Sequence, residues 1–260
     1  MVIFLGLVSL QGRISLMRGA LGTSRAIAAT IFASLMISAN WFLFIFSVQI
    51  GRVTETSLGY YIFPLLAVVL GVLVFKERLS KVQWLAVMLA AIGVSVLGTG
   101  QASVPWISLI LALTFGLYGL VKKRLSVGPV ISVTAEVVVL SPLAIGWLCY
   151  LHYNGNGVFG QDLRTSALLA FSGLLTAVPL ILFSRAAQKV RLATVGLLQY
   201  INPTLQFICA TVIFKEPFGT VQAITFGCIW VALAIYSASS LYQDKARRKR
   251  AMTSVAEVPD

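Results

Sequence analysis

Acid is what this chain has least of: eight aspartates and glutamates stand against twenty lysines and arginines in 260 residues. Charged residues of both signs make up only 11% of the sequence, against roughly a quarter in ordinary soluble domains. A chain so poor in charge cannot cover its surface in water, which excludes a soluble globular fold. Cysteine is almost as scarce. Cys149, Cys209 and Cys228 lie inside or at the edge of apolar runs, without the paired spacing of a disulfide framework or a zinc site, and read as packing residues. The one histidine, His152, falls in a predicted external loop with no cysteine or carboxylate pair near it, so no metal site is expected. Neither a Ser/His/Asp nor a Cys/His set can be assembled, and no glycine-rich nucleotide loop lies between strand and helix patterns. An enzyme is therefore not expected, and no cofactor is implied.

What the sequence has in quantity is apolar surface: 58% of its residues are hydrophobic. Runs of about 20 apolar residues, long enough to cross a hydrocarbon core, recur with short polar gaps between them. Eight are predicted, over 26–50, 57–75, 82–97, 104–121, 130–151, 166–183, 194–214 and 221–242, while the run over 1–10 is too short to span. The fold class expected is an all-α polytopic membrane protein.

The net charge of +12 could point to nucleic acid, but the basic residues sit in the gaps between apolar runs and form no single patch. Alternate gaps hold Arg13, Arg18 and Arg25; Lys76, Arg78 and Lys81; Lys122, Lys123 and Arg124; Arg185, Lys189 and Arg191; and the KARRKR tail. Seventeen of the twenty basic residues thus fall on one side, leaving only Arg52, Arg164 and Lys215 on the other. The excess of Lys and Arg in cytoplasmic loops assigns the rich side, with the C-terminus, to the cytoplasm. The tail reads as a juxtamembrane anchor, with the lipid bilayer and not nucleic acid as its partner.

Sliding the chain by 139 residues aligns GRVTETSLGYYIFPLLAVVLGVLVFKE with VRLATVGLLQYINPTLQFICATVIFKE. Identities then fall at Arg52 and Arg191, Tyr61 and Tyr200, Pro64 and Pro203, and at Phe-Lys-Glu over 75–77 and 214–216. The second matching helix comes five spans after the first. Five is odd, so the halves are expected to cross the bilayer in opposite directions, the inverted-repeat plan of many secondary transporters. FKERLSK then lies in a cytoplasmic gap and FKEPFG outside. The expected division is a first repeat over 1–100, a second over 101–243 and a basic cytoplasmic tail over 244–260. The same offset carries the runs 104–121 and 130–151 back to positions before residue 1. About one and a half helices, roughly 35 to 40 residues, are therefore expected to be missing from the first repeat.

Polar residues inside apolar runs are costly in lipid unless they face protein or a watery cavity. Glu136 lies six residues into its run, roughly 9 Å below the interface at about 1.5 Å per residue. It reads either as a carboxylate that couples transport to protons or another cation, or as a paired structural carboxylate near the cytoplasmic surface. Glu55, three residues after Arg52, reads as a surface pair or as part of an external gate. Pro64 and Pro203 each interrupt an apolar span, where proline removes a backbone hydrogen bond. Kinks are expected at both, and matching interruptions in two halves point to a binding site between them. Around them stand Tyr60, Tyr61, Gln199, Tyr200, Asn202 and Gln206, with Asn40 and Trp41 on the preceding run, a mixture of aromatic faces and neutral hydrogen-bonding groups suited to an organic substrate. Ala86, Ala90, Gly93 and Gly227 are expected to let helices approach closely.

The NW, GYYIFP, FKERL and LQYINPTLQF stretches, in a pattern running over residues 31–242, resemble the RarD family of EamA-type transporters of the drug/metabolite transporter superfamily. The resemblance implies a ten-helix inner-membrane fold with two five-helix repeats and both termini cytoplasmic, here without its first helix and part of the second. It implies transport of a metabolite or drug driven by an ion or substrate gradient, with export the expected direction, and the family naming is linked to chloramphenicol sensitivity. A non-transporting membrane subunit or fragment, or a membrane-embedded lipid-modifying protein, stays open as an alternative.

Overall fold

The structure, a computed structural model, describes residues 22–98, 106–125, 127–208, 212 and 219–256, and the side chains of all of these except 53–55, 206–207 and 244–256. Among the described residues the chain forms nine helices and no strand. They are α1 (Ser24–Gln49), α2 (Val53–Phe75), α3 (Lys81–Gly98), α4 (Trp106–Arg124), α5 (Pro129–Tyr153), α6 (Leu163–Lys189), α7 (Leu192–Leu198), α8 (Ile201–Ile208) and α9 (Thr220–Ala256). Helix is the element in which a segment satisfies its own backbone N–H and C=O groups, as hydrocarbon requires. Seven of the nine are long and apolar enough to cross a membrane, α9 over Thr220–Gln243.

The seventh expected span, over 194–214, is the one that breaks. Its two pieces, α7 and α8, are separated by a turn at Gln199 and Tyr200. Pro203 has no N–H for the carbonyl of Gln199, four residues back. The Asn202 N–H takes that carbonyl instead, at 3.0 Å, while the Gln199 and Tyr200 N–H groups donate three residues back to Gly196 and Leu197 at 2.9 and 3.1 Å. The chain tightens into a 3₁₀-like turn where proline leaves the α-ladder incomplete. Its repeat partner Pro64 has no such effect, since α2 runs as one helix through it.

The chain divides into two compact units, residues 1–43 with 114–190 and residues 44–113 with 191–260. In the first, Val133 of α5 packs on Ala177, Leu180 and Ile181 of α6, and Phe115 and Tyr118 of α4 stack with Phe183 of α6 at centroid distances of 4.9 and 6.1 Å. In the second, one apolar core draws Leu58, Tyr61 and Val68 of α2, Ala86, Ala90 and Val94 of α3, Ala193, Leu197 and Tyr200 of the α7 segment, and Phe226 and Ile229 of α9. Gly93 brings α3 against α9: a Cβ there would lie 3.0 Å from that of Cys228, and the Thr225 hydroxyl donates to the Gly93 carbonyl at 3.1 Å. Ala86 and Ala90 are fully buried, whereas Gly227 meets no neighbour within 4 Å and holds no helix close. Cys149 is exposed and Cys228 half-buried; Cys209 lies outside the described residues.

Outside the spans, Asp162 caps α6, its Oδ2 accepting both the N–H and the hydroxyl of Thr165 at 2.8 Å. These bonds hold its carboxyl below the ordinary carboxylate value of 3.8. A carboxylate whose folded value is depressed stabilises above its unfolded value and loses that contribution as pH falls through the folded one. The protection of the Thr165 amide, its exchange rate relative to an unstructured peptide at the same pH, should therefore fall below about pH 4, and Asp162→Ala should show the reduced protection already at neutral pH; identical protection in parent and variant at every pH would contradict the cap.

Candidate functional site

Three arrangements of polar or cavity-lining groups lie within the apolar helices. The first is a buried ion pair in the first unit. Lys122, in the last turn of α4, has no exposed surface, and Glu136 of α5 is 2% exposed. Their ammonium and carboxylate form a salt bridge. The Lys122 Nζ also donates to Ser132 Oγ at 2.5 Å, the Tyr118 hydroxyl donates to Glu136 Oε2 at 3.2 Å, and the ammonium lies 5.2 Å from the centre of the Tyr118 ring. In a medium of low dielectric an isolated charge is very costly, and a pair survives only with its remaining lone pairs and protons satisfied. Here Tyr118 and Lys122 on α4, and Ser132 and Glu136 on α5, are each four residues apart, so each pair presents one helix face to the other.

Lys122 thus corrects the sequence reading, which counted it among the interfacial cations. It lies inside the protein, paired with Glu136, for which a paired structural carboxylate was one of the two expected readings. The signal was present: two i, i+4 pairs that flank the connection between α4 and α5 face each other once the chain folds back on itself.

The second arrangement is the contact between the two proline-bearing segments, both in the second unit. Tyr200 is fully buried and its hydroxyl donates to the Tyr61 carbonyl at 3.0 Å, linking two residues 139 apart that occupy the same place in the repeat. Pro64 and Pro203 are both buried. Gly196 of α7 is pressed on α2: a Cβ there would collide with that of Ala67 and come within 3.0 Å of the Pro64 carbonyl oxygen. Tyr61 packs edge-on against Phe226 at 6.0 Å, and Tyr60 against Phe44 at 5.9 Å. Gln199 is half-buried and Asn202 exposed. These residues come together as a packed interface, with aromatic rings and backbone in contact.

The third is a cavity of about 420 Å³ in the first unit, bounded by Trp41 of α1, Val133 and Val137 of α5, and Gly173, Thr176 and Ala177 among others on α6. The lining is largely apolar, and the Ser172 and Thr176 hydroxyls both turn back to carbonyls of their own helix at 2.8 Å. Trp41 is partly exposed, its ring at the border of this cavity. A second cavity of about 510 Å³ in the same unit lies between Arg25 and Ala29 of α1 and Leu120 and Arg124 of α4.

The ten residues expected to line one cavity are therefore distributed as follows. Trp41 borders the 420 Å³ cavity, and Asn40, in the same unit, is buried with its amide donating to the Thr114 hydroxyl at 3.0 Å. Tyr60, Tyr61, Pro64, Gln199, Tyr200, Asn202 and Pro203 belong to the second unit, as does Gln206. The side chains of Gln206 and Glu55, and all of Lys215 and Glu216, lie outside the described residues. No group of three or more His, Cys, Asp or Glu able to hold a metal occurs among the described residues.

Comparison with known proteins meets this architecture from outside. The model of the EamA-like transporter family matches residues 1–99. The chain is 41% identical to the uncharacterized transporter YojE of Bacillus subtilis over 85% of its own length and 74% of that protein's. It is 41% identical to protein RarD of Streptomyces exfoliatus over 98% of its length and 80% of that protein's. A crystal structure at 18% identity superposes with a TM-score of 0.65, covering 91% of this chain and 83% of the other, a likeness of fold. With identities of this size over most of both sequences, and apolar helices as the structural unit throughout, the chain belongs to the EamA-like transporters, as a RarD-type multi-pass membrane protein.

Proposed function

We propose that this protein is a secondary active transporter that exports a small, largely apolar organic molecule across the inner membrane by alternating access, with its C-terminus in the cytoplasm. The observation that carries the substrate class is the 420 Å³ cavity beside Trp41. That volume lies within the range of sites that enclose drug-sized ligands. An apolar wall, hydroxyls already bonded within their own helix and an indole ring at the border favour an uncharged aromatic solute. Membership of a transporter family supports movement of the solute in preference to its chemical change.

The Lys122–Glu136 pair is the proposed coupling element. A proton delivered to Glu136 cancels the carboxylate and leaves the Lys122 ammonium with Ser132 and the Tyr118 ring as its neighbours, an arrangement stable only if the helices that hold them move or water enters. Glu136 is in this way both partner and switch for a charge that the apolar surroundings cannot hold alone. Glu55 stands as the second coupling candidate.

Three outcomes are expected. Glu136→Gln, which strands the ammonium, should destabilise the purified protein by about 3 kcal/mol or more, whereas Lys122→Met with Glu136→Leu should unfold near the parent temperature. In proteoliposomes that double variant should still move solute but lose acceleration by an imposed pH gradient, and an undiminished response would remove the coupling role. With chloramphenicol as the probe, the parent should give protein-dependent flux, and Trp41→Ala should raise the half-saturating concentration about two- to tenfold. Absence of flux for chloramphenicol and for neutral aromatic solutes of similar volume would overturn the reading.

A further inference from the structure

An acid that the transport reading leaves unused is Glu77, in the connection between α2 and α3. It is half-buried, and its carboxylate reaches the start of α7: the Leu192 N–H donates to Oε1 at 2.7 Å and the Ala193 N–H to Oε2 at 3.1 Å. Helix α7 has no side-chain cap from its own N-cap residue, Arg191. A carboxylate from another part of the chain therefore satisfies two of the N–H groups that every helix start leaves open, at the positive end of the helix dipole. Beside it, the Arg191 guanidinium donates to the Arg78 carbonyl at 3.1 Å. The same two segments are thus tied twice.

Glu77 is aimed by a strained backbone. Lys76 adopts a left-handed conformation, φ 52°, and the Glu77 N–H closes the end of α2 by donating to the Gly71 carbonyl at 3.1 Å. For a non-glycine residue that conformation is costly, and such outliers cluster at clamps and switches. Gly71 leaves the space the carboxylate needs, because a Cβ there would stand 2.6 Å from Oε2.

What Glu77 holds is a short lever. Helix α7 has seven residues, well under the roughly 12 to 15 at which an isolated helix becomes even marginally stable. Extended backbone at Val190 and Arg191 precedes it, and the tightened turn at Gln199 and Tyr200 follows it. Its contact with α2 is made in part by small groups, at Gly196, Ala67 and Pro64, while Leu192, Val195 and Leu197 are buried. Between the two joints, the carboxylate clamp ties the start of α7, and the Tyr200 hydroxyl on the Tyr61 carbonyl ties the turn beyond its end.

We propose that Glu77 is a positioning residue for transport: its carboxylate is a releasable latch that holds α7 against α2 and lets α7 swing as one piece when the clamp opens. The latch presupposes the transporter reading, but its test needs no substrate, so its failure leaves that reading standing.

Hydrogen–deuterium exchange of the full chain in lipid nanodiscs reads it directly. In the unmodified protein the amides of 192–198 should exchange at least about tenfold faster than those of 86–94 in the core of α3, because α7 opens without the core. Glu77→Gln removes the charge and one acceptor oxygen and should accelerate 192–198 by about a further tenfold, leaving 86–94 unchanged. Glu77→Asp, which keeps the carboxylate, should return most of the protection. Exchange in 192–198 as slow as in 86–94 in the parent would overturn the latch and leave a permanent cap. So would Glu77→Gln acceleration that is absent or equal in both segments.

Discussion

Hydrocarbon offers a peptide group no hydrogen-bond partner, and around the interrupted α7–α8 span the open backbone groups are met by donors and acceptors within the protein. At Gln199 the carbonyl that Pro203 cannot serve is taken by Asn202. At the start of α7 the open N–H groups of Leu192 and Ala193 are taken by Glu77. The Tyr200 hydroxyl, with no exposed surface, finds the Tyr61 carbonyl. A broken helix at membrane depth is tolerated only where protein or a cavity covers it, and here the second unit supplies that cover through α2, α3 and α9.

The same constraint governs charge. Lys122 and Glu136 together present no net charge to their surroundings, and Ser132 and Tyr118 complete their hydrogen bonds. Such a pair gives little stability relative to apolar residues of equal size, yet removing one member is severe. That asymmetry suits a switch, since one proton changes a satisfied arrangement into an unsatisfied one. Pair and latch lie in different units, so each can be altered without removing the other's contacts.

The apolar runs carried most of the fold. The expected spans over 57–75 and 82–97 correspond to α2 at Val53–Phe75 and α3 at Lys81–Gly98, because a lipid-facing helix needs only length and hydropathy. The break in the seventh span was less legible. Pro64 and Pro203 look alike in sequence, but Asn202 stands ahead of the second where Phe63 stands ahead of the first, and asparagine competes for the backbone in a way phenylalanine does not. The buried Lys122 was misread because a lysine at the end of an apolar run ordinarily snorkels to water; its pairing depends on the register of α4 against α5, which no run length records. Glu77 was visible only as part of a repeated Phe-Lys-Glu, since a cap supplied from 115 residues away has no local signature. Trp41 was picked out for its depth, and the cavity beside it is formed by α5 and α6 residues too ordinary to stand out.

The proposed architecture turns on an odd number of crossings: α7 is the fifth helix after α2, and the two carry the same sequence pattern. Lys76 and Lys215 occupy one place in that pattern, so opposed crossing of the two repeats would set them on opposite faces of the bilayer. Replacing each in turn, Lys76→Cys and Lys215→Cys, in a chain freed of its own cysteines allows labelling with an impermeant maleimide in intact cells and in inverted vesicles. Opposed crossing predicts that position 215 reacts in cells and position 76 only in inverted vesicles; reaction of both from one face would contradict it.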